Sequence, residues 1–362
     1  MKKIIFCTLR DNKGATGGPG GVLFLQKTVL GEKISGIDCQ YWFNTFDERK
    51  SKLFKLVNPV AFMVKACLTR NCYFITHDIE SGYILSLLGK KYSLIYHNQG
   101  PTIEELTNLG VKQLRFRINR TRKHERKAFI GAYSLHFPST GAADMYFNSK
   151  YAECSREEVH IGKPLFNIIP DVEVASNTSQ IKEENALTFF SLGTLTWAKG
   201  QDQVLDFLKV FLKDYEKPVR YIIVGKGPLK NELIGTCNKM KEQYSNFNYQ
   251  YIERAPHEEV MAIHNISDIY IMMHRISIFD FATLEAMSQK TAIVLSDIGG
   301  NPDFNKENNV ILCRDNDYES ACKSLINANI DEMKTKNYMV FKKYFSKEAF
   351  RKQYVDLIEK MI

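Results

Sequence analysis

The sequence predicts an α/β protein of two domains, the second built on a parallel sheet, and three observations carry that prediction. At 362 residues the chain is long enough for two domains with sizeable cores. Short apolar runs alternate with helical patterns through the second half: 187–192, a loop, a helix from Asp202, 221–224, a turn, and a helix from Leu229. Between the halves lies IIPDVEVASNTSQ from Ile168, a connection rich in Pro, Asn and Ser. The reading is a first domain at 1–172, a second at 173–344, and a closing amphipathic helix at 345–362.

The net charge of +8 is unevenly shared. Residues 1–175 hold 25 Lys and Arg against 16 Asp and Glu, while the remainder holds 24 against 25. That asymmetry points to a negative partner for the first domain. Eight cysteines are scattered without C-x-x-C spacing, as reduced thiols in a cytoplasm would be. The opening MKKIIFCTLRDNKG has too short an apolar core, Ile4 to Leu9, for an export signal and reads as a first strand. No apolar run approaches the roughly 18 residues that cross a bilayer. The nearest, Leu56 to Leu68, contains Asn58, Pro59 and Lys65, so membrane contact is expected to be peripheral.

Strand-like Lys3 to Thr8 runs into DNKGATGGPGG and a helical pattern with Val22, Leu25, Val29 and Leu30. Such a loop offers open N–H groups and a helix amino terminus to a phosphate. A mobile turn is the competing reading, because Leu23 stands where a dinucleotide fingerprint needs its third glycine. Two further strand-like runs, CYFITH and YSLIYH, end on His77 and His97. Strand ends of an α/β sheet face the ligand crevice, and two histidines in the same topological place outweigh the usual structural role of one. Residues 112–127, KQLRFRINRTRKHERK, carry eight cations against Glu125, with Leu114, Phe116, Ile118 and Phe129 as apolar anchors. This suits an interfacial segment on anionic lipid. A solvated basic helix is the alternative. Nucleic acid is not expected, since no recognised nucleic-acid module accompanies the stripe.

In the second half, Lys199 and Gly200 follow a strand, where a lysine beside a glycine is suited to phosphate. VGKGP, with Gly225 and Gly227, is a tight turn, and Lys230 takes the place of a last fingerprint glycine. From His274 to Gly300 the chain reads as a loop, a helix from Asp280 with Phe281, Leu284 and Met287 on one side, a strand at Thr291 to Leu295, and a glycine turn. Glu285 lies near the start of that helix, either facing the crevice or solvated. Asp315-Asn316-Asp317 has a metal-binding look, but Asp317 sits where a helix cap belongs, and no metal site is expected.

Taken in order, the glycine loop, His97, Lys199-Gly200, VGKGP and the Glu285 helix resemble the family 4 retaining glycosyltransferases, which have the GT-B fold. Phe279, Glu285, Ala286 and Met287 match that family's E-x-F-G-x-x-x-x-E-A-M signature, and Ser296, Gly299 and Gly300 its S-x-x-G-G. FPSTGAAD from Phe137 resembles the turn that ends the family's first domain. The chain departs from the pattern with Ser277 at the first glutamate, Asp280 at the following glycine, Thr194 at the arginine of G-R-L-x-x-x-K-G, and Asp171-Val172 at an Asn-Gly.

The resemblance implies two Rossmann-like domains facing across a cleft, with a UDP- or GDP-linked sugar bound mainly by the second. Lys199 is expected on the diphosphate, Glu285 on the ribose hydroxyls, and His97 on the sugar. Either Gly17-Gly18 or Gly20-Gly21 is expected near phosphate or sugar. Gly225, Gly227, Ser277 and Phe279 complete the expected donor site. Ser277 is too short to replace a carboxylate, so Asp280 is expected to present one from a shifted position, giving His97, Lys199 and Asp280 as the catalytic set. The nucleotide-sugar is a substrate, and no cofactor is implied. The acceptor is expected to be a saccharide, carried on lipid, in bacterial surface-polysaccharide assembly at the inner face of the plasma membrane. Two rivals remain: a non-catalytic sugar-binding relative, marked by Thr194 and Ser277, and a sugar-nucleotide epimerase on the same fold.

Overall fold

The computed structural model describes residues 3–10, 19–45, 51, 53–108, 110–111, 115–169 and 185–361. By internal packing the chain divides into two units, Met1–Pro170 with Lys347–Ile362, and Asp171–Ser346. The expected connection at 170–180 lies outside the described residues.

The first unit runs β1 (Lys3–Cys7), α1 (Pro19–Leu30), β2 (Lys33–Ile34), β3 (Ile37–Trp42), α2 (Phe54–Leu68), β4 (Cys72–Thr76), α3 (Ile79–Leu87), β5 (Tyr92–Ile95), α4 (Thr102–Asn108), α5 (Arg115–Ile130), β6 (Ser134–His136) and α6 (Thr140–Phe147). Its sheet has the order β2-β3-β1-β4-β5-β6. Every pairing is parallel except β2 with β3, a two-residue hairpin in which Ser35 and Gly36 both take positive φ, as a tight primed turn requires. Strands buried on both faces read as continuous apolar runs, which is why IIF in β1 and FI in β4 show no alternation. Ile4, Phe6, Tyr73 and Ile75 pack with α1 residues Leu23 and Leu25 and with the last helix of the chain. Phe74 points the other way, to Trp42, which also meets Phe62 of α2. On that side α3 packs between α2 and α5, and Gly82 permits the close approach to Ala128.

The second unit runs β7 (Leu187–Leu192), α7 (Gln201–Asp214), β8 (Val219–Val224), α8 (Lys230–Gln243), β9 (Phe247–Ile252), α9 (His257–Ile266), β10 (Ile269–Met272), α10 (Phe281–Ser288), β11 (Ala292–Ser296), β12 (Ile311–Cys313), α11 (Tyr318–Ile326) and α12 (Ile330–Val340). Its sheet is parallel throughout, in the order β12-β11-β10-β7-β8-β9. Asp317 caps α11 by accepting from Ser320 N at 3.0 Å. After a π-helical turn at Phe341–Phe345 the chain enters α13 (Lys347–Glu359), two residues later than the sequence pattern suggests. There Phe350, Tyr354, Leu357 and Ile358 join the core around α1, and Arg351 donates to the carbonyls of Val29 and Leu30 at 3.2 and 3.1 Å.

In each sheet the strand order reverses once, between β1 and β4 in the first and between β7 and β10 in the second. The carboxyl ends of those strand pairs are where open α/β sheets bind ligands. Among the described residues no helix is long and apolar enough to cross a membrane.

Candidate functional site

At the reversal in the second sheet, three loops are stitched together through their backbones. Leu195 N donates to Lys226 O at 3.0 Å, Leu229 N to Leu195 O at 3.2 Å, and Arg275 N to Ala198 O at 2.9 Å. The glycines make this possible. A side chain on Gly225 would collide with the Gly193 carbonyl, one on Gly227 with the Leu195 backbone, and one on Gly200 with the Met273 carbonyl. Gly225 and Gly200 also take φ of 147° and 68°, which side-chain-bearing residues rarely adopt. Gly225 and Gly227, expected at the donor, are therefore required first by loop packing. Arg275 locks the assembly further: it holds Asp202 with two bonds of 2.8 and 2.6 Å and lies over the Trp197 ring.

Lys199 ends the short turn Trp197–Lys199 in this assembly, and its ammonium lies 2.7 Å from Asp280 Oδ1. Asp280 is nearly enclosed, with 8% of its side chain exposed against 30% for Lys199. Its second oxygen accepts from Tyr270 OH at 3.1 Å and, as the cap of α10, from Thr283 N at 3.2 Å. His274 Nε2 stands 3.7 Å from Oδ1. Burial alone would raise this carboxyl, but the Lys199 charge and the His274 ring outweigh it and hold the group well below the ordinary aspartate range. Asp280 is thus an ionised anchor with both oxygens engaged. The carboxylate expected to be presented from a shifted position has both oxygens bonded to protein groups.

The neighbouring signature residues divide by burial. Ser277 is enclosed, its carbonyl accepting from Gly300 N at 2.9 Å while its hydroxyl has no partner among the described residues. Phe279 is buried and stacks on Phe304 at 4.5 Å, with Phe345 at 5.9 Å, so its ring belongs to the core and not to a ligand surface. Glu285, on the first turns of α10, meets His257 Nε2 at 2.9 Å through Oε1. That bond raises the His257 pKa above the ordinary histidine value. Tyr270, His274, Arg275 and His257 carry no motif, and only the fold brings them to Asp280, Asp202 and Glu285.

At the reversal in the first sheet, His77 and His97 follow the adjacent strands β4 and β5, and their rings meet, Nδ1 to Nε2, at 3.0 Å. Gly20 and Gly21 lie buried in the first turn of α1, where backbone N–H groups lack intrahelical acceptors. Gly17 and Gly18 fall outside the described residues, as do 112–114 of the basic stripe.

The rest of the stripe is α5, and its one acid is not solvated. Glu125 is buried, accepting from Tyr96 OH, Thr102 N and Tyr146 OH at 3.2, 3.0 and 2.8 Å, and burial raises its pKa. Phe129 is also core, which removes it from the expected apolar anchors, whereas Phe116 is exposed. Arg122 and Arg126 are paired to Glu153 and Glu158 at 2.6 and 2.5 Å. Among the described residues no group of three or more His, Cys, Asp or Glu could hold a metal.

Residues 175–346 match the family model described as glycosyl transferases group 1. No curated protein matches the chain in sequence. Among solved structures, the chain is similar to the N-terminal domain of trehalose-6-phosphate phosphatase from Candida albicans, with a TM-score of 0.68 at 13% identity over 100% of both chains. Sucrose-phosphate synthase from Thermosynechococcus elongatus gives 0.66 at 13%, over 100% of this chain and 99% of that one. A structure from E. coli described as trehalose-6-phosphate bound with UDP-2-fluoro glucose gives 0.65 at 11%, over 100% of both. At such identities the likeness shows the fold, an α/β fold of two parallel sheets of the GT-B kind.

Proposed function

Starting from a glycosyltransferase on the GT-B fold, we propose that the chain is a family 4 enzyme that moves a hexose from a UDP- or GDP-linked donor to a saccharide acceptor, with retention of configuration. The observation that carries this reading is Lys199: a cation fixed by Asp280 in the loop after β7, where the second sheet reverses its strand order. The UDP-2-fluoro glucose named with the E. coli structure supports a uridine-linked donor.

In this reading the donor diphosphate takes Lys199 as its cation, and Asp280 keeps the ammonium in place without touching the sugar. Glu285 binds the ribose hydroxyls, with His257 orienting one of its oxygens. Gly20 and Gly21 offer N–H groups to phosphate or sugar, and His97 hydrogen-bonds the sugar. The bond from the anomeric carbon to the diphosphate breaks through an oxocarbenium-like state. The acceptor oxygen attacks the same face, and its proton passes to the departing diphosphate. No protein nucleophile is needed, so the chain supplies positioning and stabilises charge on the leaving group. An epimerase would need a free carboxylate near the anomeric carbon, a role the engaged Asp280 does not suit.

The acceptor is proposed to ride on a lipid diphosphate, as in bacterial surface-polysaccharide assembly, at the inner face of the plasma membrane. Support comes from the outer side of the α2, α3 and α5 layer. Leu53, Leu56, Val60, Val64 and Leu68 recur every three or four residues along α2, each more than half exposed. On α5, Arg115, Arg117, Arg120, Lys123 and Lys127 are exposed with no described carboxylate partner. An exposed apolar stripe in one layer with free cations is what an anionic bilayer attracts.

The test is incubation with UDP- and GDP-sugars and lipid-diphosphate saccharides, following nucleoside diphosphate release and the anomeric configuration of the product by NMR. Acceptor-dependent release with retention is expected. Tight nucleotide-sugar binding without release would favour a non-catalytic binder.

A further inference from the structure

The carboxyl ends of β4 and β5 carry a histidine pair whose hydrogen bond has a direction. His77 Nδ1 and His97 Nε2 are 3.0 Å apart, with ring planes 14° from parallel and centroids 5.3 Å apart. Burial lowers His97 to about 4 and His77 well below the ordinary histidine value, so both rings are neutral near neutral pH and each carries one N–H. The nearest acid, Asp78, does not reach into the pair, because its oxygens accept from Leu9 N, Ser81 N and Ser81 Oγ.

A neutral pair sharing one bond has two arrangements. If His97 donated from Nε2, His77 would carry its proton on its own Nε2, an atom that is buried and has no partner among the described residues. A buried N–H with nothing to bond is the rarer defect, whereas an unpaired acceptor is better tolerated. If His77 donates from Nδ1, only a lone pair is left unmet at His77 Nε2. Neutral His97 must then hold its proton on Nδ1. His97 is partly exposed, and no described residue bonds that atom.

We infer that His77 is a positioning residue that fixes His97 as its Nδ1–H tautomer, so that the open edge of His97 donates a hydrogen bond to a ligand oxygen and cannot act as a base there. The kinetic arm of this inference rests on the reading that His97 meets the donor; the tautomer itself does not.

The experiment is long-range ¹H–¹⁵N NMR of the histidine rings in the full chain near neutral pH, with His97→Gln supplying the assignment. The expected spectrum of His97 shows a protonated Nδ1 and an unprotonated Nε2. His77→Phe removes the donor and should release that preference, and His77→Gln, whose amide can donate, should keep it. With a turned-over donor, His77→Phe should lower kcat/KM by about tenfold, the worth of one hydrogen bond, and His77→Gln should recover most of it. An Nε2–H tautomer in the wild type overturns the inference, as does an unchanged His97 spectrum in a folded His77→Phe. The wild-type spectrum decides the point even if the variant fails to fold. If the tautomer holds while His97→Gln leaves turnover intact, the ligand-facing half is overturned.

Discussion

Asp280 joins two elements that the sequence separates: its Oδ1 holds the Lys199 ammonium at 2.7 Å, and its Oδ2 caps α10 through Thr283 N at 3.2 Å. The loop expected at the diphosphate and the helix that presents Glu285 are thereby tied by one side chain. A residue that stands where the resembled family has glycine is thus paired with the lysine.

Asp280→Asn separates these roles, because asparagine caps a helix nearly as well as aspartate but carries no charge. The variant should lose about 1.5 to 3 kcal/mol of stability in denaturant unfolding, the worth of a charge-assisted hydrogen bond. Its effect on nucleoside diphosphate affinity should be non-additive with Lys199→Ala in a double-mutant cycle, by at least about 0.5 kcal/mol. Strict additivity with a fall in kcat alone would show Asp280 acting on the sugar instead.

Glu285→Gln should weaken nucleotide affinity with little change in kcat, since a ribose contact serves ground and transition states alike. The same substitution should lower the His257 pKa, because the bond to Glu285 is what raises it. In sign, that bond contributes stability below the ordinary histidine pKa, and the contribution fades as pH rises through the raised value. An unchanged His257 NMR titration would contradict the pairing.

Binding to anionic vesicles should depend on both parts of the exposed layer. Changing Arg115, Arg117, Arg120 and Lys123 to Ser should weaken it by on the order of 1 kcal/mol per cation. Changing Leu56, Val60 and Val64 to Ser should weaken it at every lipid charge, because buried apolar area is lost. Flotation that is unchanged by both sets would remove the membrane from the account.

The alternation that predicts a parallel sheet in the second half was legible because its inner strands, such as β7, β8 and β11, are short apolar runs, whereas edge strand β9, FNYQYI, carries no such signal. Lys199, Glu285 and His97 were singled out by their places near strand ends and helix starts and by the family resemblance, and their roles at the donor are proposals. The remainder depends on pairs far apart in sequence. Nothing local distinguishes the ring of Phe279 as core, yet Phe304 and Phe345 enclose it. The pairing of Asp280 was hidden because its partner, Lys199, lies 81 residues earlier. Glu125 looked like one acid among solvated cations because the tyrosines that bury it come from the end of β5 and from α6.

His264 gives the second unit an acid sensitivity. It is fully buried between Phe190 and Tyr270, neither ring nitrogen has a partner among the described residues, and burial lowers its pKa to about 3. The unfolded chain therefore binds this proton first, and stability falls as pH drops from the ordinary histidine range toward about 3, with a slope of up to about 1.4 kcal/mol per pH unit. His264→Phe should move the acid-unfolding midpoint to lower pH. An unmoved midpoint would mean that other groups set the transition.

The most direct test of the donor site is calorimetric titration of UDP and GDP into the wild type and Lys199→Ala. One of the two nucleotides should bind the wild type, and Lys199→Ala should weaken that binding by about 1.5 to 3 kcal/mol while the protein stays folded. Equal affinity for the two proteins would return Lys199 to a purely structural role and contradict a diphosphate site at the end of β7.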